Sequence, residues 1–470
     1  MTPAPARVVH LGLGAFARAH QATYTQHAPD SGTWPIAAFG GRGGAVADAL
    51  AAQGGRYTLV TRGPDADSFE TISSITSTHP AADHEAWLAR LAAPEVAVVT
   101  ATVTEAGWCL GPSGGLEHDL AAVQADIDAL RRDPTAPVTT PPGRLVAGLA
   151  ARRRADAGPL AIVPCDNLAG NGSVAATVVG ELTEAVDSTL AAWVAASVSF
   201  VSTVVDRITP RTTDADIAAV AQATGFGDRA PVVTEPFSEW VLAGAFPAGR
   251  PGWEAAGAVI VDDVAPFEAR KLWLLNGAHS LLAYLGSIRG HATVDSAMAD
   301  DVCREAVARW WAGARGPLTR PATEAPAAQR PAIALAATDE MPAAELDAYT
   351  RALAERFANP RMAHRLDQIA ADGSRKLPAR ILPLLLAERR SGAEPTAAAV
   401  VLAAWLANLR GTGAAVVDVD AERFVALAGG PLTAAARRVL DALHAGLGDD
   451  DVTVSLVAAQ AERIERTQSP

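Results

Sequence analysis

The chain has 470 residues, 49% of them hydrophobic and 19% charged, and a net charge of −13. That length exceeds one ordinary core and predicts two or three domains, while the composition excludes a disordered chain. The acidic balance argues against a nucleic-acid partner, and no apolar run is long enough for a transmembrane helix. In chain order, a short strand is predicted over 7–12, followed by Gly12, Gly14 and a helical stretch over 15–27. A second strand, 34–39, ends in a run of glycines around Arg42. Further strands are expected at 96–100, 160–164 and 198–205, with helices at 83–91 and 173–197 between them. Strand and helix in alternation predict an α/β domain with a largely parallel, doubly wound sheet over 1–264.

From residue 265 the texture changes. Helical patterns are expected at 267–285, 294–314, 343–357, 396–409 and 433–447, with a loop over 316–331, so 265–470 reads as a second, mainly α-helical domain. The first residues, 1–7, lack the basic and apolar regions of a signal peptide, so the expected location is the cytoplasm. Cys109, Cys165 and Cys303 are too widely spaced for a disulfide framework or a zinc cluster, and no metal is expected.

Lysine usage is more telling. Of 39 basic residues only Lys271 and Lys376 are lysines. Arginine serves a wet surface equally well but does not give up its proton, so a lysine kept in such a chain points to a titratable ammonium.

Four motifs carry chemistry. Gly12-Leu13-Gly14-Ala15-Phe16-Ala17 matches G-x-G-x-x-G/A after a strand, the turn that lets a dinucleotide's diphosphate approach the backbone. The second strand offers no acidic residue for the ribose. Arg42 either receives a 2′-phosphate, stacks on adenine or is a solvated loop residue, which leaves NAD against NADP open. The second motif contains Glu268, Lys271, Asn276 and His279. On an α-helix, Lys271, Glu268, His279 and Asn276 fall at roughly 0°, 60°, 80° and 140°, one polar face among leucines. Hydride transfer at a carbinol carbon needs a proton moved on its oxygen. A lysine with a depressed pKa can move it, an asparagine amide can donate to the developing alkoxide, and a histidine can orient a hydroxyl. The third motif, Cys165-Asp166-Asn167 through Asn171, ends a strand at the edge where open α/β sheets bind ligands, and Asn167 is a second candidate donor. The fourth sets Arg375, Lys376 and Arg380 around a turn after Asp372, suited to an anionic or polyhydroxylated substrate.

Together these stretches resemble the polyol-specific long-chain dehydrogenases, the family of mannitol dehydrogenases and fructuronate reductases. The resemblance runs from Val8 to Arg390. It is carried by VHLGLGAFARAHQ (9–21), TVTEAG (102–107), PCDN (164–167), VDRITP (205–210), Glu235-Pro236, the spacing of Lys271, Asn276, His279 and Ser280, and RFANP (356–360). It implies a Rossmann-type domain followed by a helical domain, with Lys271 as acid/base, Asn167 and Asn276 on the reacting oxygen, His279 orienting the substrate and Glu268 coupled to the lysine. It further implies NAD as cofactor, NADP not excluded, near Gly12, Gly14, Ala15, Phe16, Ala17, Arg42, Thr102 and Thr104, and a small sugar acid or polyol near Asp206, Arg375, Lys376 and Arg380. Ala17 stands where many relatives carry histidine. The run from Gln368 to Arg380 is more similar to fructuronate reductases, which implies conversion of D-fructuronate to D-mannonate. Mannitol, arabinitol or mannitol-1-phosphate dehydrogenases are the alternatives, with a non-catalytic dinucleotide sensor beyond them.

Overall fold

The computed structural model describes residues 5–41, 44–319 and 341–467. Arg42, and the expected loop at 316–331 from residue 320 onward, lie outside the described residues. The chain forms two compact units, Met1–Val264 and Ala265–Pro470.

The strands of the first unit are β1 (Val8–Leu11), β2 (Ile36–Phe39), β3 (Tyr57–Arg62), β4 (Asp67–Ile72), β5 (Ile75–His79), β6 (Val98–Ala101), β7 (Leu160–Pro164), β8 (Val198–Phe200), β9 (Ser202–Asp206), β10 (Val232–Thr234), β11 (Glu239–Ala243) and β12 (Val259–Ile260). Six of them form one parallel sheet in the order β5-β2-β1-β6-β7-β8. Counted within that sheet, this is the 3-2-1-4-5-6 order of a Rossmann-type fold. β1, β2, β6 and β7 are buried along their whole length. With both faces covered, they are nearly continuous apolar runs, interrupted only by His10 and Thr100. Alternate side chains feed two cores. Val9, Leu11, Phe39, Val99 and Ile162 meet Trp87 and Leu149 on one face, and Val8, Ile36, Val98 and Ala161 meet Leu50 and Trp240 on the other.

The register sets Phe39, Leu11, Ala101 and Pro164 level. The segments starting at Gly40, Gly12, Thr102 and Cys165 therefore all leave the carboxyl edge of the sheet. Between β1 and β6 the winding reverses, which opens a crevice at that edge.

The expected strand at 198–205 divides at Val201. β8 closes the parallel sheet, while β9 pairs antiparallel with β11. The expected helix at 173–197 divides at Asp187, whose carboxylate accepts from the Thr189 N–H at 2.8 Å and starts a new helix. On the N-terminal side of β6 and β7, the fully buried Arg152 guanidinium donates to six carbonyls, those of Leu91, Ala93, Val96, Ala157, Gly158 and Pro159.

In the second unit no strand forms among the described residues. Thr396–Leu409 is buried on nearly every side, which suits its almost uniformly apolar sequence. It packs against Ala278–Ile288, which also packs against Asp301–Leu318 and Leu366–Ala370. The expected helix at 294–314 is interrupted at Asp300, whose carboxylate caps the Val302 N–H at 2.8 Å. Among the described residues no helix is long and apolar enough to cross a membrane.

Candidate active site

In the first unit, the site begins at the turn after β1. Gly12 adopts φ +103°, and a Cβ there would lie 2.8 Å from both the carbonyl oxygen and Oγ1 of Thr102. Only glycine fits. The Thr102 hydroxyl donates to the Gly12 carbonyl at 2.6 Å, joining the ends of β1 and β6. Gly14 is exposed, and among the described residues a Cβ there would meet only the Gly12 carbonyl, at 3.8 Å. Ala15 and Phe16 are half-buried at the start of the helix Ala15–Ala19, Phe16 stacks on His20 with ring centroids 4.9 Å apart, and Ala17 is buried against the sheet. The expected helix at 15–27 breaks at His20 into Ala15–Ala19 and Gln21–His27.

A cleft at the same edge is lined by Phe16, Thr102, Thr104, Cys165, Asp166 and Asn167, among others. Thr104 and Asn167 are exposed there. Asp166 is buried and builds the turn that carries Asn167: one oxygen accepts from the Leu168 N–H at 2.9 Å and the other from the Trp108 indole at 2.7 Å. Burial pushes the Asp166 carboxyl up, and these two donors hold it partly down. Asn171 ties the loop to β9 by accepting from the Thr203 N–H at 2.8 Å. Burial also pushes the Cys165 thiol well up, so it stays neutral. Asp206, the last residue of β9, is buried opposite Glu239.

Sequence reasoning passed over two residues behind the glycine turn. His10 is buried in β1, with Nδ1 2.7 Å from the Thr100 hydroxyl and Nε2 3.1 Å from the Gly12 carbonyl. A carbonyl only accepts, so Nε2 carries the proton. Burial lowers the His10 pKa to about 4, which keeps it neutral. Arg18, also buried, donates through Nε to the Gly14 carbonyl at 3.2 Å. The readable signal for His10 is a lone polar residue inside an apolar strand.

In the second unit, Ala265–Arg270 runs into a π-helical segment, Lys271–Gly277, and then into the α-helix Ala278–Ile288. The expected α-helical angles therefore do not hold across it. Bonding of the i→i+5 kind sets Asn276 on the turn that follows Lys271, where α-helical winding would carry it roughly 140° round. Glu268, Lys271 and Asn276 are half-buried, and His279 is buried. His279 stacks on Phe357 with centroids 4.7 Å apart and meets the His364 ring edge-on at 5.1 Å. Its Nε2 and the Nδ1 of His364 are buried with no hydrogen-bond partner among the described residues. Burial first, then the charges of His364, Arg356 and Arg380, hold the His279 pKa well below the ordinary histidine value. The imidazole is therefore neutral, with one buried nitrogen that has no hydrogen-bond partner among the described residues.

The segment expected as a cationic turn is the helix Gly373–Arg380. Arg375 is exposed, Lys376 donates to the Ile369 carbonyl at 3.3 Å, and Arg380 donates to the Ser280 hydroxyl at 3.2 Å, beside His279. Among the described residues no group of three histidine, cysteine or acidic side chains is placed to hold a metal ion.

Residues 6–255 match the mannitol dehydrogenase Rossmann domain and residues 263–464 the mannitol dehydrogenase C-terminal domain. The chain belongs to the mannitol dehydrogenase family. It is 36% identical over 419 residues to D-mannonate oxidoreductase of Escherichia coli (strain K12), covering 86% of this chain and 80% of that protein. It is 37% identical to D-arabinitol 4-dehydrogenase of Ralstonia nicotianae, covering 86% and 83%. Among solved structures, the ternary complex of Pseudomonas fluorescens mannitol 2-dehydrogenase with NAD and D-mannitol is similar at a TM-score of 0.77 and 30% identity, covering 99% of this chain and 93% of that one.

Proposed function

We propose that this oxidoreductase reduces the ketone of a hexuronate, D-fructuronate, to the secondary alcohol of D-mannonate without a metal, with Lys271 as the acid/base. The observation that carries the reading is the wide turn of Lys271–Gly277, which sets the amide of Asn276 on the turn after one of only two lysines in the chain. The similarity to a D-mannonate oxidoreductase supports the substrate.

The cofactor is NAD. Gly12 and the open backbone of Gly14, with Thr102 and Thr104 across the crevice, fit a dinucleotide, because a side chain on the first glycine would collide with Thr102. Hydride transfer is the chemistry a nicotinamide supplies when bound. The chain's own groups do the rest. The Lys271 ammonium gives its proton to the substrate oxygen during reduction, and the amine takes it back during oxidation. The Asn276 amide donates to the same oxygen as charge develops on it. Asn167, exposed in the cleft of the first unit, is a further donor to substrate. The unpartnered Nε2 of His279 holds a neighbouring hydroxyl, and Glu268, three residues before Lys271, relays the proton. Arg380 meets the carboxylate of a uronate.

A second reading, a dehydrogenase of a neutral polyol such as arabinitol or mannitol, is favoured by the dispersal of the expected cations. Arg375 is exposed and Lys376 is tied to Ile369, so of these three only Arg380 reaches Ser280 beside His279.

The test is initial-rate loss of NADH, and separately of NADPH, with D-fructuronate, D-tagaturonate and D-fructose in the presence of chelator. Fast turnover of fructuronate alone supports the uronate reading, and preference for fructose supports the polyol reading. Activity lost to chelator overturns the lysine mechanism. Lys271→Ala is expected to abolish turnover while NADH binding persists. Lys271→Arg fails as well, since arginine keeps its proton.

A further inference from the structure

We propose that Trp310 and Trp311 are positioning residues of the reaction, holding the wide turn that aligns Asn276 and His279 with Lys271. The inference rests on the reading of Lys271 and Asn276 as the groups that act on the substrate oxygen.

A π-helical turn is rare and short, and it recurs at functional sites. Where i→i+5 bonding returns to i→i+4, the ladder passes over one carbonyl, which needs a partner from outside the helix. The helix Asp301–Leu318 supplies such partners. The Trp310 indole donates to the Trp273 carbonyl at 2.8 Å, and the neighbouring Trp311 indole donates to the Leu274 carbonyl at 2.8 Å. An indole has a single N–H, so both donors are committed to consecutive carbonyls between Lys271 and Asn276. Packing enforces the same placement. A Cβ on Gly277 would lie 2.5 Å from Cζ2 of Trp310, so the last residue of the wide segment rests flush on that ring. If the segment wound as an α-helix instead, Asn276 and His279 would turn by roughly 100° relative to Lys271. The proton donor and the amide would then no longer address one oxygen. Neither tryptophan touches the substrate in this account. They act through the carbonyls of Trp273 and Leu274.

Trp311 is half-buried and Trp310 is fully buried, so Trp311→Phe is the primary variant and Trp310→Phe the second. Each keeps a six-membered ring but removes the pyrrole half of the indole together with its N–H. Measured together, beside Lys271→Ala, are kcat, KM for sugar and NADH, the NADH dissociation constant, the deuterium isotope effect on kcat with 4-deuterated NADH, and Tm. The expected result for Trp311→Phe is a fall in kcat on the order of 10- to 100-fold. NADH affinity stays close to that of the parent, Tm falls modestly with the lost hydrogen bond, and the isotope effect rises because the transfer step becomes slower than product release. Trp310→Phe moves the isotope effect in the same direction. A parent-like kcat and isotope effect in both variants, or rate loss only in proportion to lost folded protein, overturns the proposal. If Lys271→Ala itself turns over at a parent-like rate, the underlying reading has failed. If Lys271→Ala is inactive while both tryptophan variants are normal, only this inference has failed.

Discussion

Gly12 and Gly14 are two residues apart and meet opposite surroundings. At Gly12 the positive φ and the Thr102 contacts exclude any side chain, whereas a Cβ on Gly14 would meet, among the described residues, only the Gly12 carbonyl at 3.8 Å. Gly12→Ala is expected to cost about 1–3 kcal/mol through backbone strain, lowering Tm and NADH affinity together. Gly14→Ala is expected to leave Tm unchanged and to weaken NADH binding, because its methyl group would enter the crevice proposed to hold the cofactor. Fluorescence titration with NADH beside thermal melts separates the two. These glycines are legible in the sequence because G-x-G spacing after a strand has one backbone explanation. His10 and Arg18 are not legible as supports of the turn, because each acts through a carbonyl, and a carbonyl has no sequence signature. Lys271, Asn276 and His279 are recognisable as residues, but their angular relation is not.

That angular relation belongs to the scale of elements. Reading a helix at a constant 100° per residue assumes unbroken i→i+4 bonding, and the segment Lys271–Gly277 violates the assumption. The outside partners of that segment lie on another helix, where Trp310 and Trp311 donate to the carbonyls of Trp273 and Leu274, 37 positions along the chain. The adjacent tryptophans are visible in the sequence, but their targets are not. The same limit explains Gly373–Arg380: a glycine, a serine and a proline suggest a turn, yet Asp372 takes up φ +56° and a short helix follows. Local turn chemistry stated the start of the element correctly and its continuation wrongly. Arg152 shows an element-scale support that patterning misses altogether, since it sits in the run Arg152-Arg153-Arg154, which reads as a solvated helix end. Burial lowers its pKa to about 10, so it remains charged while it gathers six carbonyls. Arg152→Met is expected to destabilise the first unit by about 3–5 kcal/mol, because buried acceptors lose a charged donor. Urea unfolding followed by tryptophan fluorescence measures it.

At the scale of the whole molecule, the class of fold follows from alternation in the first part of the chain and its absence in the second. The small side sheets around β3 and β9 do not follow, because their partners β10 and β11 are distant in sequence and short. Stability against pH also belongs to this scale. Burial raises the Glu388 carboxyl from an ordinary 4.5 to about 7. Between those values the folded chain holds a proton that the unfolded chain has released, so stability falls as pH rises through the window. Glu388→Gln is expected to remove that slope, gaining Tm relative to the parent as pH rises from 4.5 to 7. His10 works in the opposite sense: with a folded value of about 4 against an ordinary 6.5, it makes the protein less stable as pH falls through that range. The near-absence of lysine has a practical consequence. An amine-selective reagent meets only two side-chain amines on the entire chain. One of them, Lys376, is half-buried and bonded to the Ile369 carbonyl. Lys271 is half-buried as well, so labelling by such a reagent, resolved by peptide mass, distinguishes two half-buried lysines from the α-amino group. The pH at which Lys271 begins to label would then test whether its ammonium gives up a proton near neutrality, as the proposed acid/base role requires.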